Sequence, residues 1–280
     1  MMRLLRSKTA GLGVVIVLVV LVCAVGGAHL APFDPDDQDI LARLLPPLSP
    51  GEGGMHWLGS DALGRDVLSR IIVGARVSLA VGVFATLISA AVGVPLGLVA
   101  GYEQRLLGRL LIAVTDMQLA VPFLVLALAV VAVLGASFWN LVLVLGLSNW
   151  VQYVRVVRAE CLALRARDFV QAAVAVGASV PRILLRHLLP NLAPSVVVIS
   201  SLLMARMILF ESSLSYLGLG VPPNTPTWGA MIADGRDYIS TAWWVVGMPG
   251  LALFLTVVGM NLIGDRLRDL LDPRLKQLEG

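Results

Sequence analysis

Long apolar runs alternate with short basic segments along this chain, and the runs decide its class. A bilayer core of about 30 Å is crossed by ~20 helical residues, and no backbone polar group there goes unpaired. Gly11 to Phe33, Val77 to Tyr102 and Tyr238 to Gly264 each meet that length without Asp, Glu, Lys or Arg. Met117 to Val154 is too long for one crossing and is interrupted at Gly135, Ala136, Ser137 and Asn140, so it divides into two. His187 to Phe210 carries one charge, Arg206, and supplies the remaining span. Ser212 to Ala233 is long enough but holds Pro222, Pro223, Pro226, Asn224 and Gly229, which are turn residues, and it is expected to be an ordered loop. The pattern predicts an all-α, polytopic membrane protein with six transmembrane helices.

Composition agrees: 58% of residues are hydrophobic and 14% charged, against roughly 25% charged in soluble domains. The first apolar run follows Arg3, Arg6 and Lys8 but is longer than a signal-peptide core and closes on no small-x-small cleavage site, so it is expected to stay as a helix. Basic residues set the orientation. With the amino terminus inside, fifteen of the twenty-one fall on the inner side: Arg3, Arg6, Lys8, Arg105, Arg109, Arg155, Arg158, Arg165, Arg167, Arg182, Arg186, Arg266, Arg268, Arg274 and Lys276. Arg43, Arg65, Arg70, Arg76 and Arg236 fall outside, with Arg206 within a span, and both termini are expected to be cytoplasmic. The arginines are dispersed over several loops, which disfavours a nucleic-acid face. Cys23 and Cys161 lie on different segments, so no disulfide is expected.

Between the fourth and fifth spans, Asp168 to Asn191 reads like two short soluble helices. Asp168 can cap a helix through Val170, Ala172, Ala173 and Val176, and Gly177 can end it in the left-handed conformation. Ser179 can cap the next helix, with Pro181 in its first turn. Leu184, Leu185, Leu188 and Leu189 give that helix an apolar face, and Pro190 with Asn191 is expected to break it and cap the fifth span. The result is a compact knuckle whose small Ala172, Ala173 and Gly177 would let another surface approach the backbone. The same pattern also suits an ordinary interhelical loop.

The spacing Gln171-Ala172-Ala173, then Gly177, then Leu189-Pro190 resembles the EAA loop of ABC-importer permeases. Gln171 stands where that motif has its glutamate, and His187 where it has isoleucine. The amide keeps part of the hydrogen bonding without the charge, which implies altered contact strength and retained coupling. The resemblance extends over nearly the whole chain. Ala31-Pro32-Phe33-Asp34-Pro35, His56-Trp57-Leu58-Gly59-Ser60-Asp61 and Leu63-Gly64-Arg65-Asp66 through Arg70 are similar to the outer segment of the second permease in dipeptide, oligopeptide and nickel importers. Glu211-Ser212-Ser213-Leu214-Ser215-Tyr216 through Gly220, Thr227-Trp228-Gly229, and Gly264-Asp265-Arg266 through Asp272-Pro273 resemble the same group.

The resemblance implies a type I ABC-importer permease (MetI-like) fold that forms half of a pore for short peptides, with nickel or another small solute as the alternative cargo. It implies a second homologous permease, two ATP-binding subunits that carry ATP and magnesium, and an extracytoplasmic solute-binding protein, all set in membrane lipid. No cofactor is expected on this chain. Coupling to the ATP-binding subunit would run through Asp168, Gln171, Ala172, Ala173, Gly177, Ala178, Leu189 and Pro190. The implied organisation is a tip and first helix (1–33), an extracytoplasmic segment and interfacial elbow (34–76), a core (77–264) holding the coupling segment 158–190 and the outer loop 212–237, and a cytoplasmic tail (265–280).

Charges inside spans are costly and are functional candidates. Arg206 and Glu211 share the fifth span but are five residues apart, too far around the helix for a direct pair. Glu211 is placed either to cap and gate the Ser212-Ser213 turn or to meet the ammonium end of a peptide. Asp116, six residues before Pro122, is placed to bond backbone freed by that proline or to sit near the inner boundary. In the outer segment, Asp61 and Asp66 flank a glycine turn before an amphipathic Val67 to Ala75, which reads as a structural elbow. Trp228, Tyr238, Trp243 and Trp244 are expected to anchor at the membrane boundary.

Catalysis on this chain finds little support. The two lysines, Lys8 and Lys276, follow no glycine, so the phosphate-binding loop of ATPases is absent. His29, His56 and His187 are too scattered for a metal triad. Two other classes stay open: an ion-driven secondary transporter using Asp116 and Glu211 as coupling carboxylates, and a membrane hydrolase, which requires a serine–histidine pairing at one depth.

Overall fold

A computed structural model describes residues 8–222 and 224–271. Arg3, Arg6, Pro223, Arg274, Lys276 and the Asp272-Pro273 pair lie outside the described residues, as does the Lys8 side chain. The main helices are α1 (Lys8–Gly26), α2 (Val67–Tyr102), α3 (Leu106–Ala120), α4 (Phe123–Leu134) and α5 (Phe138–Arg165). They are followed by α6 (Asp168–Ala175), α7 (Val180–Arg182), α8 (Leu189–Tyr216), α9 (Trp228–Gly235) and α10 (Trp244–Leu271). Among the described residues, five rods are long and apolar enough to cross a membrane, and α3 with α4 forms a broken sixth, bent by 84°.

The expected break after Gly135 is present. Gly135 takes φ +80° at the end of α4, and the Ser137 hydroxyl accepts the Asn140 N–H to start α5. The Asn140 side chain then donates to the Leu134 and Gly135 carbonyls, so one residue closes both helix ends. A second break, at Val121-Pro122, lies inside what the apolar run presented as one crossing. Pro122 has no N–H to continue α3, and α4 starts at its own angle.

Two other expected boundaries are absent. The elbow and the second span are one helix: α2 is 36 residues, ~54 Å at 1.5 Å per residue, and it projects well past the membrane core. Arg76 is simply an exposed residue on that helix. The fifth span also begins early. Val180 to Tyr216 is a continuous rod, with a π-type turn over Ile183–Leu188 just ahead of Pro190. The wider turn absorbs the proline's missing donor, and the Asn191 side chain donates to the His187 carbonyl at 2.6 Å. Pro190 therefore shapes the helix without ending it.

The most extensive helix pair is α2 with α5, and small residues explain it. Gly93, Gly97 and Gly101 recur every four residues on one face of α2. A Cβ at Gly93 would meet the Trp150 carbonyl oxygen at 2.4 Å, and one at Gly97 would meet Val157 Cβ at 2.8 Å. With no water to expel between them, helices in a membrane gain from close packing of this kind.

At the other end of α2 sits a small module. Strands β1 (Ser49–Gly51) and β2 (Gly54–His56) form an antiparallel hairpin with Ser49 opposite His56. The expected turn is present, with Gly64 at φ +80° and Asp61 accepting from the Leu63 and Arg65 N–H groups. Asp66 caps α2 by accepting the Ser69 N–H at 2.8 Å. Trp228 and Trp244 are buried and donate their indole N–H groups to the Ile71 and Ser60 carbonyls. They are internal struts, contrary to the anchoring expected of them; Trp243, more than half exposed, is left on the surface. Of the 212–233 stretch expected as a loop, Ser212 to Tyr216 instead continue α8, and from Trp228 the chain forms α9, whose N-terminus is capped by the Thr227 hydroxyl.

Candidate functional site

The knuckle Asp168 to Pro190 closes the end of the bundle opposite the hairpin. Helix α6 ends in a six-residue capping arrangement: the Ala178 N–H reaches the Ala173 carbonyl at 3.0 Å and the Gly177 N–H reaches Val174 at 2.9 Å. Gly177 holds φ +82°, as expected, and a Cβ there would meet nothing within 4 Å. The expected caps differ. Arg167 occupies the cap position of α6 with no side-chain bond, which leaves Asp168 exposed in the first turn. Ser179 stands at the cap position of α7 but makes no side-chain cap bond.

One face of the knuckle is packed and the other is not. Val170, Ile183 and Leu188 are fully buried against Leu98 of α2, Val157 and Cys161 of α5 and Leu192 of α8, and Ala173, Ala178 and Leu189 pack around them. The opposite face carries Phe169, Val174, Val180, Leu185 and Val176, the last 88% exposed, beside exposed Gln171, Ala172 and Pro190. Leu185 thus belongs to the outer surface, whereas Leu184, Leu188 and Leu189 serve the inner one. Of the eight residues in the motif, Ala173, Ala178 and Leu189 support the knuckle from within.

One bond fastens the knuckle to α5, and a second fastens that end of α5 to α2. The Gln171 side chain donates to the Arg165 carbonyl at 2.8 Å, joining α6 to the last turn of α5. Arg165 in turn donates to the Tyr102 carbonyl at 2.7 Å and lies over the Tyr102 ring, joining α5 to the end of α2. The sequence pattern pointed to neither Arg165 nor Tyr102, because each reads as a basic or aromatic boundary residue until the chain brings them together.

The three intramembrane charges are separate. Asp116 is exposed and lies 3.9 Å from Arg155 of α5. Glu211 is fully buried: its carboxylate accepts from Ser215 at 2.7 Å, Ser78 at 3.1 Å and Ser212 at 3.3 Å, with the Thr227 hydroxyl alongside. It knots α2, α8 and the start of α9 and lines neither of the clefts described next. Arg206 lines a cleft of about 370 Å³ between α5, α8 and α10, together with Gln152 and Asn261. A second cleft of about 530 Å³ shares Ile199 and Leu202 with the first and holds Glu160 and Arg268 near the knuckle end.

The cluster of His56, Asp66 and Ser69 does not have the geometry of a hydrolase triad. The three do meet, in the hairpin module, but the carboxylate stands in the middle: Asp66 takes His56 Nδ1 on one oxygen at 2.9 Å and the Ser69 hydroxyl on the other at 2.7 Å. A nucleophilic serine requires the imidazole beside it as base. Ser69 is also fully buried and accepts the Phe33 N–H, which makes the cluster a structural clasp.

Known proteins share this architecture. Residues 1–47 match the N-terminal TM domain of oligopeptide transport permease C. The Di/tripeptide transport system permease protein DppC of Pseudomonas aeruginosa is 43% identical, covering 97% of this chain and 90% of that one. The Glutathione transport system permease protein GsiD of Pectobacterium atrosepticum is 39% identical, covering 98% and 90%. An inward-facing structure of the MetNI methionine ABC transporter matches in fold, with a TM-score of 0.59 at 17% identity, over 72% of this chain and 96% of that one. The matching family, Binding-protein-dependent transport system inner membrane component, spans residues 93–277, more than half of the chain, and the protein belongs to it.

Proposed function

We propose that this permease forms half of the translocation pore of an ATP-driven importer of short peptides. It would pair with a second, homologous permease, receive solute from an extracytoplasmic binding protein, and be driven by two ATP-binding subunits that hold ATP and magnesium. The knuckle end faces the cytoplasm in this reading, in line with the surplus of arginines there, and both termini lie on that side of the inner membrane.

The observation that carries the proposal is the two-faced knuckle. Its buried residues tie it to α2, α5 and α8, so it moves only with them, while an apolar strip from Phe169 to Leu185 lies open. Exposed apolar surface of this kind marks a protein contact. When the ATP-binding subunits close, they would push the knuckle and rock the spans between two states a few kcal/mol apart. Peptide cargo is supported by the relatives whose names specify di/tripeptides and glutathione, itself a tripeptide.

The test is co-purification followed by transport. Tagged chain should bring down a second permease and two ATP-binding chains, and reconstituted vesicles should accumulate di- and tripeptides only with ATP and a loaded binding protein. Peptide accumulation by the chain alone, driven by an ion gradient, would overturn the proposal.

A further inference from the structure

Arg206 is the one guanidinium on α8, inside the Val180–Tyr216 span, and it is exposed in a cleft. Ionisable side chains at such depth face water or a partner group because burial in lipid is expensive. Among the described residues Arg206 has no hydrogen bond or ion pair. Gln152 of α5 and Asn261 of α10 line the same cleft, half-buried, and their amides are also without partners. Three unpaired polar side chains from three different helices therefore line one cleft. The other lining residues, such as Leu203, Leu209 and Val257, are apolar, and no carboxylate is among them.

This is the donor set for an anion. A guanidinium offers a planar fork of N–H groups matched to the two oxygens of a carboxylate, and flanking amides add donors without adding charge. We propose that Arg206, with Gln152 and Asn261, forms an anion subsite that receives the carboxylate of the solute in transit. The subsite holds the terminal carboxylate of a peptide; the adjoining cleft is lined by both Glu160 and Arg268 and so adds no net positive charge to it. The assignment of a peptide carboxylate rests on the proposed function; the preference for an anion does not.

The experiment uses the whole importer in vesicles with Cys23→Ala and Cys161→Ala, and places a thiol by Leu209→Cys, one turn from Arg206 on the cleft wall. Rates of modification by a sulfonate-bearing and a trimethylammonium-bearing methanethiosulfonate are compared, each normalised to its rate with a free thiol in solution. The sulfonate reagent should be favoured by about tenfold, the bias expected of one nearby charge in a partly dry cleft. Arg206→Gln should abolish the bias, and Arg206→Lys should keep it while losing the fork. A tripeptide with a free carboxyl terminus should slow labelling, and its amide should not.

Equal normalised rates for the two reagents would overturn the proposal, since that is the outcome if a carboxylate of the second permease neutralises Arg206. The same holds if the bias survives Arg206→Gln. A bias that depends on Arg206 but that no peptide protects against would retain the anion subsite and reject peptides as its cargo.

Discussion

The Gln171 side chain donates to the backbone carbonyl of Arg165 at 2.8 Å, so the residue that departs from the family's glutamate is bonded within its own chain. A carboxylate there has no hydrogen to give and would face the carbonyl-rich end of α5. Gln171→Glu is expected to lose one net hydrogen bond, about 1 kcal/mol or roughly a fivefold shift in a two-state balance. Uptake per ATP hydrolysed should fall by about that factor with the importer still assembled. Gln171→Lys, which can donate, should retain more coupling than Gln171→Glu.

Gly177 separates backbone cost from steric cost. It holds φ +82° in open space, so a side chain there pays only for the left-handed conformation, on the order of 1–2 kcal/mol. Asparagine adopts that conformation more readily than alanine. ATP-driven uptake should therefore rank glycine, then Gly177→Asn, then Gly177→Ala. An equal response to both substitutions would show that the contact surface, not the turn, sets the requirement.

Glu211 should behave as a structural knot. Glu211→Ala leaves the hydroxyls of Ser78, Ser212, Ser215 and Thr227 without their shared acceptor, a loss on the order of 3 kcal/mol that thermal unfolding of the purified complex would register. Glu211→Gln keeps one acceptor oxygen, and the hydroxyls can rotate to accept from the amide, so stability and uptake should both be close to the parent. Lost uptake with unchanged stability in Glu211→Gln would point instead to a carboxylate that takes part in transport.

The seam between α2 and α5 gives a packing test. At Gly93 the obstacle to a methyl group is the Trp150 backbone carbonyl, at 2.4 Å, which cannot rotate away. At Gly250, inside α10, nothing lies within 4 Å and the backbone is helical. Gly93→Ala should push the helices apart and cut the yield of assembled complex by severalfold, measured by size-exclusion profile. Gly250→Ala should leave that profile unchanged.

The membrane class, the break at Gly135 and the knuckle's glycine stop were legible because each rests on local chemistry: apolar length, or a backbone conformation only certain residues tolerate. Boundaries at Arg76 and Pro190 were misread for a physical reason. A charge marks where a helix leaves lipid, not where it ends, and α2 runs through both environments. A proline removes one donor, which a wider turn can absorb, as it does over Ile183–Leu188. Trp228 and Trp244 looked like interfacial anchors since the sequence does not disclose the Ile71 and Ser60 carbonyls waiting for their N–H groups. The cleft was half visible: Arg206 stood out as a charge, whereas Gln152 and Asn261 acquire meaning only when three helices bring them to one cleft.

Val176, 88% exposed at the tip of the knuckle, offers the most direct measurement. In a chain with Cys23→Ala and Cys161→Ala, a Val176→Cys thiol should react with a membrane-impermeant maleimide in inside-out vesicles and not in intact cells, and bound ATP-binding subunits should shield it. Reaction from the outer face would place the knuckle beyond the reach of any nucleotide-driven subunit and contradict the account.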